Sequence, residues 1–231
     1  MATKQILGDL TALYTAQTGQ AVTVEAVGGV DAAKRVQAGE AFDLVILARQ
    51  AMDKLQLDGK LSAAVKPQAG GIQDLMVSGV AVAVPSGTPH PDISSEAAVK
   101  QAVLNARSLG YSTGPSGVQL AKLFERWGIA DAIQPRIVQA PPGVPVGALI
   151  ARGDVALGFQ QLSEMLNVPG IDMIGMLPPA IEIITTFSGA VASGCNRAGE
   201  AAALLGFMRT PACADAIRAN GMEPAQHPRA S

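Results

Sequence analysis

Helix-type and strand-type segments alternate along the whole chain of 231 residues, and this alternation is the strongest constraint on its fold. Apolar residues recur at helical spacing over 3–18, whereas 43–47 reads Asp-Leu-Val-Ile-Leu, which is typical of a buried strand. Strands separated by helices favour parallel sheets that carry helices on both faces. The sequence therefore predicts an α/β protein.

The predicted elements follow one another at short intervals, with glycine or proline between many of them. Helices are expected at 3–18, 30–38, 50–57, 95–107, 118–127, 146–152, 160–166, 197–209 and 212–220. Strands are expected at 21–27, 43–47, 77–84, 108–112, 136–139, 155–159, 171–174 and 181–187.

Two proline-containing places, 85–91 and 178–179, mark points where the chain can cross between lobes. A double crossing predicts a first lobe made of 1–82 plus 188–231 and a second lobe made of 83–187. Each lobe is expected to be a largely parallel sheet flanked by helices. Two lobes joined in this way usually close around a small ligand, so we expect a ligand cleft between them.

Composition excludes several partners. The net charge is −2, the Lys and Arg residues are scattered, and aromatic residues make up only 3% of the chain, so neither a basic footprint nor a stacking platform for nucleic acid is present. The longest apolar stretches, such as 79–85, are far shorter than the roughly 18 residues of a membrane span. We expect neither nucleic-acid binding nor membrane insertion.

Histidine and cysteine are too few for most metal and nucleophile chemistry. His90 and His227 both stand beside prolines, in a predicted loop and a predicted tail, and Cys195 and Cys213 have no second pair of cysteines. These residues cannot assemble a zinc cluster, and they disfavour a Ser-His or Cys-His dyad. A disulfide between the two cysteines and two buried free thiols are both open alternatives.

Three strand-to-helix junctions are rich in glycine or proline, at 27–31, 113–117 and 141–146. Backbone N–H groups at the start of a helix suit an anion. Turn formation alone also explains these residues, and both interpretations stay open. No Gly-Lys-Ser/Thr follows 114–117, so a nucleotide is disfavoured and no cofactor is expected. The candidate ligand residues here are Gly28, Gly29, Val30, Thr113, Ser116, Gly117, Pro145 and Val146.

Three further polar side chains follow predicted strands. Arg49 stands where a ligand carboxylate could be gripped by its guanidinium, although an exposed helix start is the alternative. Gln160 and Gln161 end the strand 155–159 and could donate amide hydrogens to a ligand, or simply begin the next helix. Glu164 is expected to be solvated rather than catalytic.

The segment from Gly28 to Leu47 resembles the part of periplasmic molybdate-binding proteins that runs from a ligand loop through a helix to a buried strand. Three later segments are similar, in their order, to the second-lobe ligand loops of that family. They are Tyr-Ser-Thr-Gly-Pro-Ser-Gly-Val from 111, Ala-Pro-Pro-Gly-Val-Pro-Val-Gly-Ala-Leu from 140 and Val-Ala-Leu-Gly-Phe-Gln-Gln from 155. The resemblance covers nearly the whole chain. It implies the two-lobe fold of type II periplasmic solute-binding proteins, a small anionic ligand, an ABC-type permease as a possible partner, and a monomer or weak oligomer.

Two departures from that family stand out, one in the ligand residues and one at the start of the chain. Gly28-Gly29-Val30 occupies the place of a ligand-binding serine, and Gln161 occupies the place of a tyrosine, which disfavours molybdate. The chain begins at the first helix, so the family's first strand is expected to be missing. No signal peptide is visible at the start, although the resemblance implies a periplasmic location.

A divergent branch of this family is similar to aconitate isomerase, which shifts a proton along a tricarboxylate. Such a reaction needs a base near the substrate carbon and no cofactor. The nearest candidates are Asp31, Lys4, Glu164 and Tyr111, which the sequence does not rank. The first hypothesis is thus a solute-binding protein for a small carboxylate or oxyanion, and the alternative is a cofactor-free isomerase of a tricarboxylic acid.

Overall fold

The computed structural model describes residues 2–62, 71–141 and 143–225. Its contacts divide the chain into two compact units: unit 1 is Met1–Ser78 with Thr185–Ser231, and unit 2 is Gly79–Ile184. The chain therefore passes between the units after residues 78 and 184. The sequence placed these crossings after residues 82 and 187, a few residues later.

Within the described residues, helices and strands alternate as expected. The helices are α1 (Lys4–Thr18), α2 (Gly29–Gln37), α3 (Arg49–Leu57), α4 (Glu96–Asn105), α5 (Pro115–Arg126), α6 (Ala130–Ile133), α7 (Val146–Ala151), α8 (Leu162–Met165), α9 (Ala198–Met208) and α10 (Ala214–Ala219). The strands are β1 (Leu44–Ala48), β2 (Gln73–Pro85), β3 (Leu109–Ser112), β4 (Ile137–Ala140), β5 (Leu157–Gln161), β6 (Ile171–Met176), β7 (Ile184–Val191) and β8 (Glu223–Pro224).

Unit 1 is built on antiparallel strand pairs. β1 runs antiparallel to β7, with Leu44 opposite Val191, and the first half of β2 runs antiparallel to β8. Helices α1, α9 and α10 pack one apolar core against these strands, in which Ile6, Leu10 and Leu205 are fully buried. Helices α2 and α3 pack a second, smaller core. Unit 1 is thus a sheet with helices on both faces.

Unit 2 holds the parallel part of the fold. β3 pairs in parallel with β4 and with β5, while the second half of β2 runs antiparallel to β5 and β6. One core contains side chains from α4, α5 and α6 against Phe159. The other contains Val146 and Ile150 of α7 and Met165 of α8. The carboxyl ends of β3 and β5 therefore lead directly into α5 and α8.

The α/β class is confirmed, with two corrections to the detail. The pairs β3–β4 and β3–β5 of unit 2 are parallel, whereas the pairs β1–β7 and β2–β8 of unit 1 are antiparallel, so unit 1 is not the largely parallel sheet that was expected. The strand predicted at 21–27 is wrong, since this stretch forms no strand and has no strand partner in the described residues. Its β-branched residues have the propensity for a strand, but a strand also needs a paired edge.

Both cysteines are free thiols, so the disulfide alternative is wrong. Cys213 is buried, and burial raises the pKa of its thiol, whereas Cys195 is only half-buried. His227 lies outside the described residues. In the part of the chain that the structure describes, no helix is both long and apolar enough to cross a membrane.

Candidate functional site

In unit 1, the candidate residues Gly28, Gly29 and Val30 form the start of α2. The N–H of Ala32 donates to the carbonyl of Gly28 at 2.9 Å, so the N–H groups of the three residues between them have no acceptor within the helix. No side chain caps this end, and Val30 is 62% exposed. However, the Asp31 carboxylate lies beside it, 3.6 Å from where a Cβ on Gly28 would stand. Unit 1 thus already provides an anion for this helix dipole.

Arg49 is the first residue of α3 and directly follows β1, as expected. Its Nε donates to Asp53 Oδ1 at 2.8 Å and its Nη1 donates to Asp74 Oδ1 at 3.0 Å, and these bonds raise the pKa of the guanidinium. Asp74 Oδ1 also accepts from Ser188 Oγ at 2.6 Å. Two carboxylates of the protein therefore hold Arg49, and a ligand carboxylate would compete with them. Asp74 and Ser188 lie inside strands, where no sequence signal marked them.

In unit 2, the turn from β3 into α5 brings together Thr113, Ser116 and Gly117. Gly114 precedes the helix and offers no side-chain cap, and the first turn contains no acidic residue. Ser116 is only 4% exposed. The first intrahelical bond runs from the N–H of Val118 to the carbonyl of Gly114, so the N–H groups of Ser116 and Gly117 have no acceptor within the helix. The start of α5 therefore offers backbone N–H groups and a serine hydroxyl without an acid beside them.

Gly117 is required by the close approach of α5 to β3. A Cβ at this position would lie 1.7 Å from the carbonyl oxygen of Ser112, which no side chain could tolerate without a shift of the helix. A cavity of about 280 Å³ opens beside the turn and is lined by Thr113, Gly117 and Lys122, among others. The glycine therefore sets the distance between the helix start and the end of the strand.

The end of β5 and the start of α7 are joined by Gln160. Its Oε1 accepts from the N–H of Val146 at 2.8 Å, so the first N–H of α7 is satisfied by the protein. Gln161, the last residue of β5, is 4% exposed, and its Oε1 has no partner among the described residues. Pro145 precedes α7, and the neighbouring Pro142 of the same predicted loop lies outside the described residues. The structure thus brings Val146 and Gln160 together, and it leaves Gln161 with an unused acceptor.

Sequence reasoning missed Ser163, which lies on α8 two residues after Gln161. Its Oγ is buried and has no partner among the described residues. A serine in a short polar helix start carries no signal that separates it from surface serines. Unit 2 therefore contains, near the end of β5, two polar atoms that the described protein does not satisfy.

The four candidate bases lie in different surroundings. Asp31 and Lys4 are exposed in unit 1. In unit 2, Tyr111 is buried against Phe124, and burial raises the pKa of its phenol, which leaves less phenolate available to act as a base. Glu164 is half-buried on α8.

Comparison with known proteins agrees with these observations. The chain is 38% identical over 191 residues to an aconitate isomerase from Pseudomonas sp, which covers 82% of this chain and 70% of that protein. The structure is similar to the periplasmic molybdate-binding protein of Azotobacter vinelandii, with a TM-score of 0.77, 18% identity and coverage of 97% of this chain and 96% of that one.

It is also similar to the substrate-binding domain of a putative molybdenum ABC transporter from Clostridium difficile, with a TM-score of 0.74, 14% identity and the same coverage. These likenesses confirm the resemblance to molybdate-binding proteins and to aconitate isomerase, the former in fold alone. The family described as bacterial extracellular solute-binding protein matches residues 1–223. The chain therefore belongs to the bacterial extracellular solute-binding protein family.

Proposed function

We propose that the protein binds a small organic anion carrying one or more carboxylates and delivers it to an ABC-type permease. The family is extracellular, and the proposal places this chain in the periplasm. Carboxylate is favoured over a bare oxyanion because the relative with 38% identity is named for aconitate, a tricarboxylate. The glycines at 28 and 29 also offer no hydroxyl to an oxyanion.

One observation carries this proposal: the start of α5 has no acid and no side-chain cap, and the N–H groups of Ser116 and Gly117 have no acceptor within the helix. A carboxylate placed there would accept from the Ser116 hydroxyl and from the free N–H groups of the first turn. Charge-assisted hydrogen bonds of this kind are the strong ones in proteins. The neighbouring cavity is lined by both Lys122 and Glu125, so it adds no net charge.

Gln160 and Gln161 have different roles in the proposed site. Gln160 uses its oxygen to hold the start of α7, so it positions that helix. The oxygen of Gln161 lacks a partner among the described residues, so it would accept a hydrogen bond from a hydroxyl or a protonated carboxyl of the ligand. A citrate-like ligand, which carries a hydroxyl, would satisfy it and molybdate would not.

Isothermal titration calorimetry with trans-aconitate, citrate and molybdate tests the proposal. We expect saturable binding of at least one carboxylate and none of molybdate. Ser116→Ala should weaken that binding by roughly 0.5–1.5 kcal/mol, the size of one hydrogen bond. Ser95→Ala is the matched control, because Ser95 caps α4 in the same unit through the N–H of Ala98. Binding of molybdate alone would contradict the proposal.

The second candidate function is isomerisation of a tricarboxylic acid without a cofactor, and the 38% identity to an aconitate isomerase favours it. The reaction removes a proton from one carbon of the ligand and returns a proton to another across the double bond. A proton NMR time course with trans-aconitate separates the two functions. New cis-aconitate signals would identify an isomerase, whereas broadened but unchanged signals would identify a binding protein.

A further inference from the structure

Helix α5 covers only part of the sheet face on which it packs in unit 2. Tyr111 of β3 lies opposite Gln139 of β4 in a parallel register, so both side chains point to the same face of the sheet. The ring of Tyr111 packs against Phe124 of α5, with the ring centroids 6.0 Å apart. Gln139, on the last strand of the sheet, is exposed. A groove therefore lies between α5 and β4.

A cavity of about 280 Å³ fills this groove and is formed by unit 2 alone. Tyr111, Thr113 and Gln139 line it from the strands, and residues of α5 between 117 and 125 line it from the helix. Ligand pockets combine apolar walls with a few polar groups, and a cavity of this size suits a molecule of few heavy atoms. We call it the edge cavity.

Tyr111 provides the most specific feature of the edge cavity. The residue is 7% exposed, yet its hydroxyl makes no hydrogen bond with any described residue. Tyr14, the other tyrosine of the chain, is 5% exposed and donates its hydroxyl to Gln20 Oε1 at 3.2 Å. A buried tyrosine hydroxyl usually has such a partner. The Tyr111 hydroxyl is not fully enclosed, so a molecule in the cavity that this residue lines would supply the missing acceptor.

The helix side of the cavity carries one charge of each sign, on Lys122 and Glu125. Neither side chain forms an ion pair or a hydrogen bond with a described residue, and they do not pair with each other. Glu125 stands next to the last residue of α5, where the helix dipole disfavours a carboxylate. An ammonium group bound beside Glu125 would offset that cost. The charges therefore match a ligand that carries both signs.

We propose that the edge cavity binds a small zwitterion with an apolar body, of the class of the aliphatic α-amino acids. The ligand carboxylate would accept from the Tyr111 hydroxyl and pair with Lys122, while its ammonium group would pair with Glu125. Its apolar body would contact Val118, which is 50% exposed, and Ala121. This site lies along the side of α5, whereas the anion site of the proposed function lies at the start of the helix.

Amide proton–nitrogen NMR spectra of the full chain, recorded during a titration with L-leucine, test the proposal. We expect saturable shift changes at Lys122, Glu125 and Gln139. Isocaproate lacks the ammonium group of leucine and isoamylamine lacks its carboxylate, so each should bind about fivefold more weakly, the upper range for one exposed ion pair. Isocaproate that binds as well as L-leucine would overturn the proposal. So would unchanged spectra up to about 10 mM L-leucine, beyond the range of weak specific sites.

Tyr111→Phe isolates the hydroxyl, because it keeps the ring that packs against Phe124. It should weaken L-leucine binding about two- to tenfold, the effect of one hydrogen bond. Tyr14→Phe is the matched control in unit 1, since it also removes one hydroxyl from a buried ring, and it should leave the affinity unchanged. Unchanged affinity in Tyr111→Phe, or an equal loss in Tyr14→Phe, would overturn the proposal.

Ser116→Ala separates this proposal from the proposed function. Ser116 does not line the edge cavity, so the substitution should weaken carboxylate binding and leave L-leucine binding unchanged. Binding of L-leucine without binding of any carboxylate would overturn the proposed function and support the edge cavity. Binding of a carboxylate without L-leucine would do the reverse.

Discussion

The two units differ in how they satisfy the polar groups at the starts of their helices. In unit 1, Asp31 stands in the first turn of α2, and carboxylates of the protein hold Arg49 at the start of α3. In unit 2, α5 has no acid in its first turn, and Gln161 Oε1 and Ser163 Oγ are buried without a partner among the described residues. Unit 1 also contains such an atom, Ser78 Oγ, so the units differ in the charges at their helix starts rather than in unpartnered atoms alone. The proposal that unit 2 carries the specific ligand contacts depends on this difference in charge.

Substituting the glycine in the first turn of each helix should give the largest contrast. Gly117→Ala places a Cβ against the Ser112 carbonyl and should lower the free energy of unfolding by roughly 1–3 kcal/mol, the range for overpacking. Gly29→Ala meets no atom within 4 Å and should leave stability unchanged or slightly raised.

Urea unfolding measures both effects. Trp127, the single tryptophan of the chain, directly follows α5 and reports on unit 2 by its fluorescence, while circular dichroism follows both units. An equal loss of stability in Gly117→Ala and Gly29→Ala would contradict the predicted difference between the two helix starts.

Gln160 and Gln161 allow a structural role and a ligand-binding role to be compared within unit 2. Gln160→Leu leaves the buried N–H of Val146 without an acceptor and should cost about 1–3 kcal/mol of stability. Gln161→Leu removes an amide whose oxygen has no described partner, so stability should hold while ligand affinity falls. Thermal unfolding and calorimetry on the same samples separate the two roles. A stability loss from Gln161→Leu as large as that from Gln160→Leu would contradict them.

The sequence predicts most of the fold because each strand and helix carries its own periodic pattern. Even the short β4, at Ile137–Ala140, lies within one residue of its predicted place. The run 21–27 shows the limit: its valines favour a strand, but strand formation depends on a partner edge that a local pattern does not report. The prediction of a largely parallel sheet in unit 1 was wrong for the same reason, since the direction of a strand depends on where the chain returns to the sheet.

The site is predictable only in outline. Glycine and proline marked the turn at 113–117, but the helix predicted from 118 begins three residues earlier, at Pro115, so Ser116 and Gly117 lie in its first turn. The sequence could not show that Asp74 and Asp53 hold Arg49, or that Gln160 rather than a ligand satisfies Val146. Those contacts join residues 14 to 25 positions apart or side chains on one helix face, and no single segment encodes them.

Arg49→Ala tests whether unit 1 contributes to binding. Since two carboxylates already engage the guanidinium, we expect its loss to reduce ligand affinity less than Ser116→Ala does, which is roughly 0.5–1.5 kcal/mol. Calorimetric titration with the carboxylate that binds the wild type gives both values. A reduction by Arg49→Ala of about 1–3 kcal/mol, typical of a charged hydrogen bond, would instead place Arg49 on the ligand.

Asp31→Asn should have the smallest effect on stability, and that effect should be a loss. Removing the carboxylate from the first turn of α2 should lower stability by about 0.3–1 kcal/mol at low ionic strength, because the helix dipole loses its anion, and salt should screen the difference. Ligand affinity should stay unchanged if the anion binds in unit 2 alone. Tighter binding by the variant would mean that Asp31 repels the ligand, which would contradict binding by unit 2 alone. Ligand affinity measured at low and high salt therefore shows whether the charge at the start of α2 affects anion binding at all.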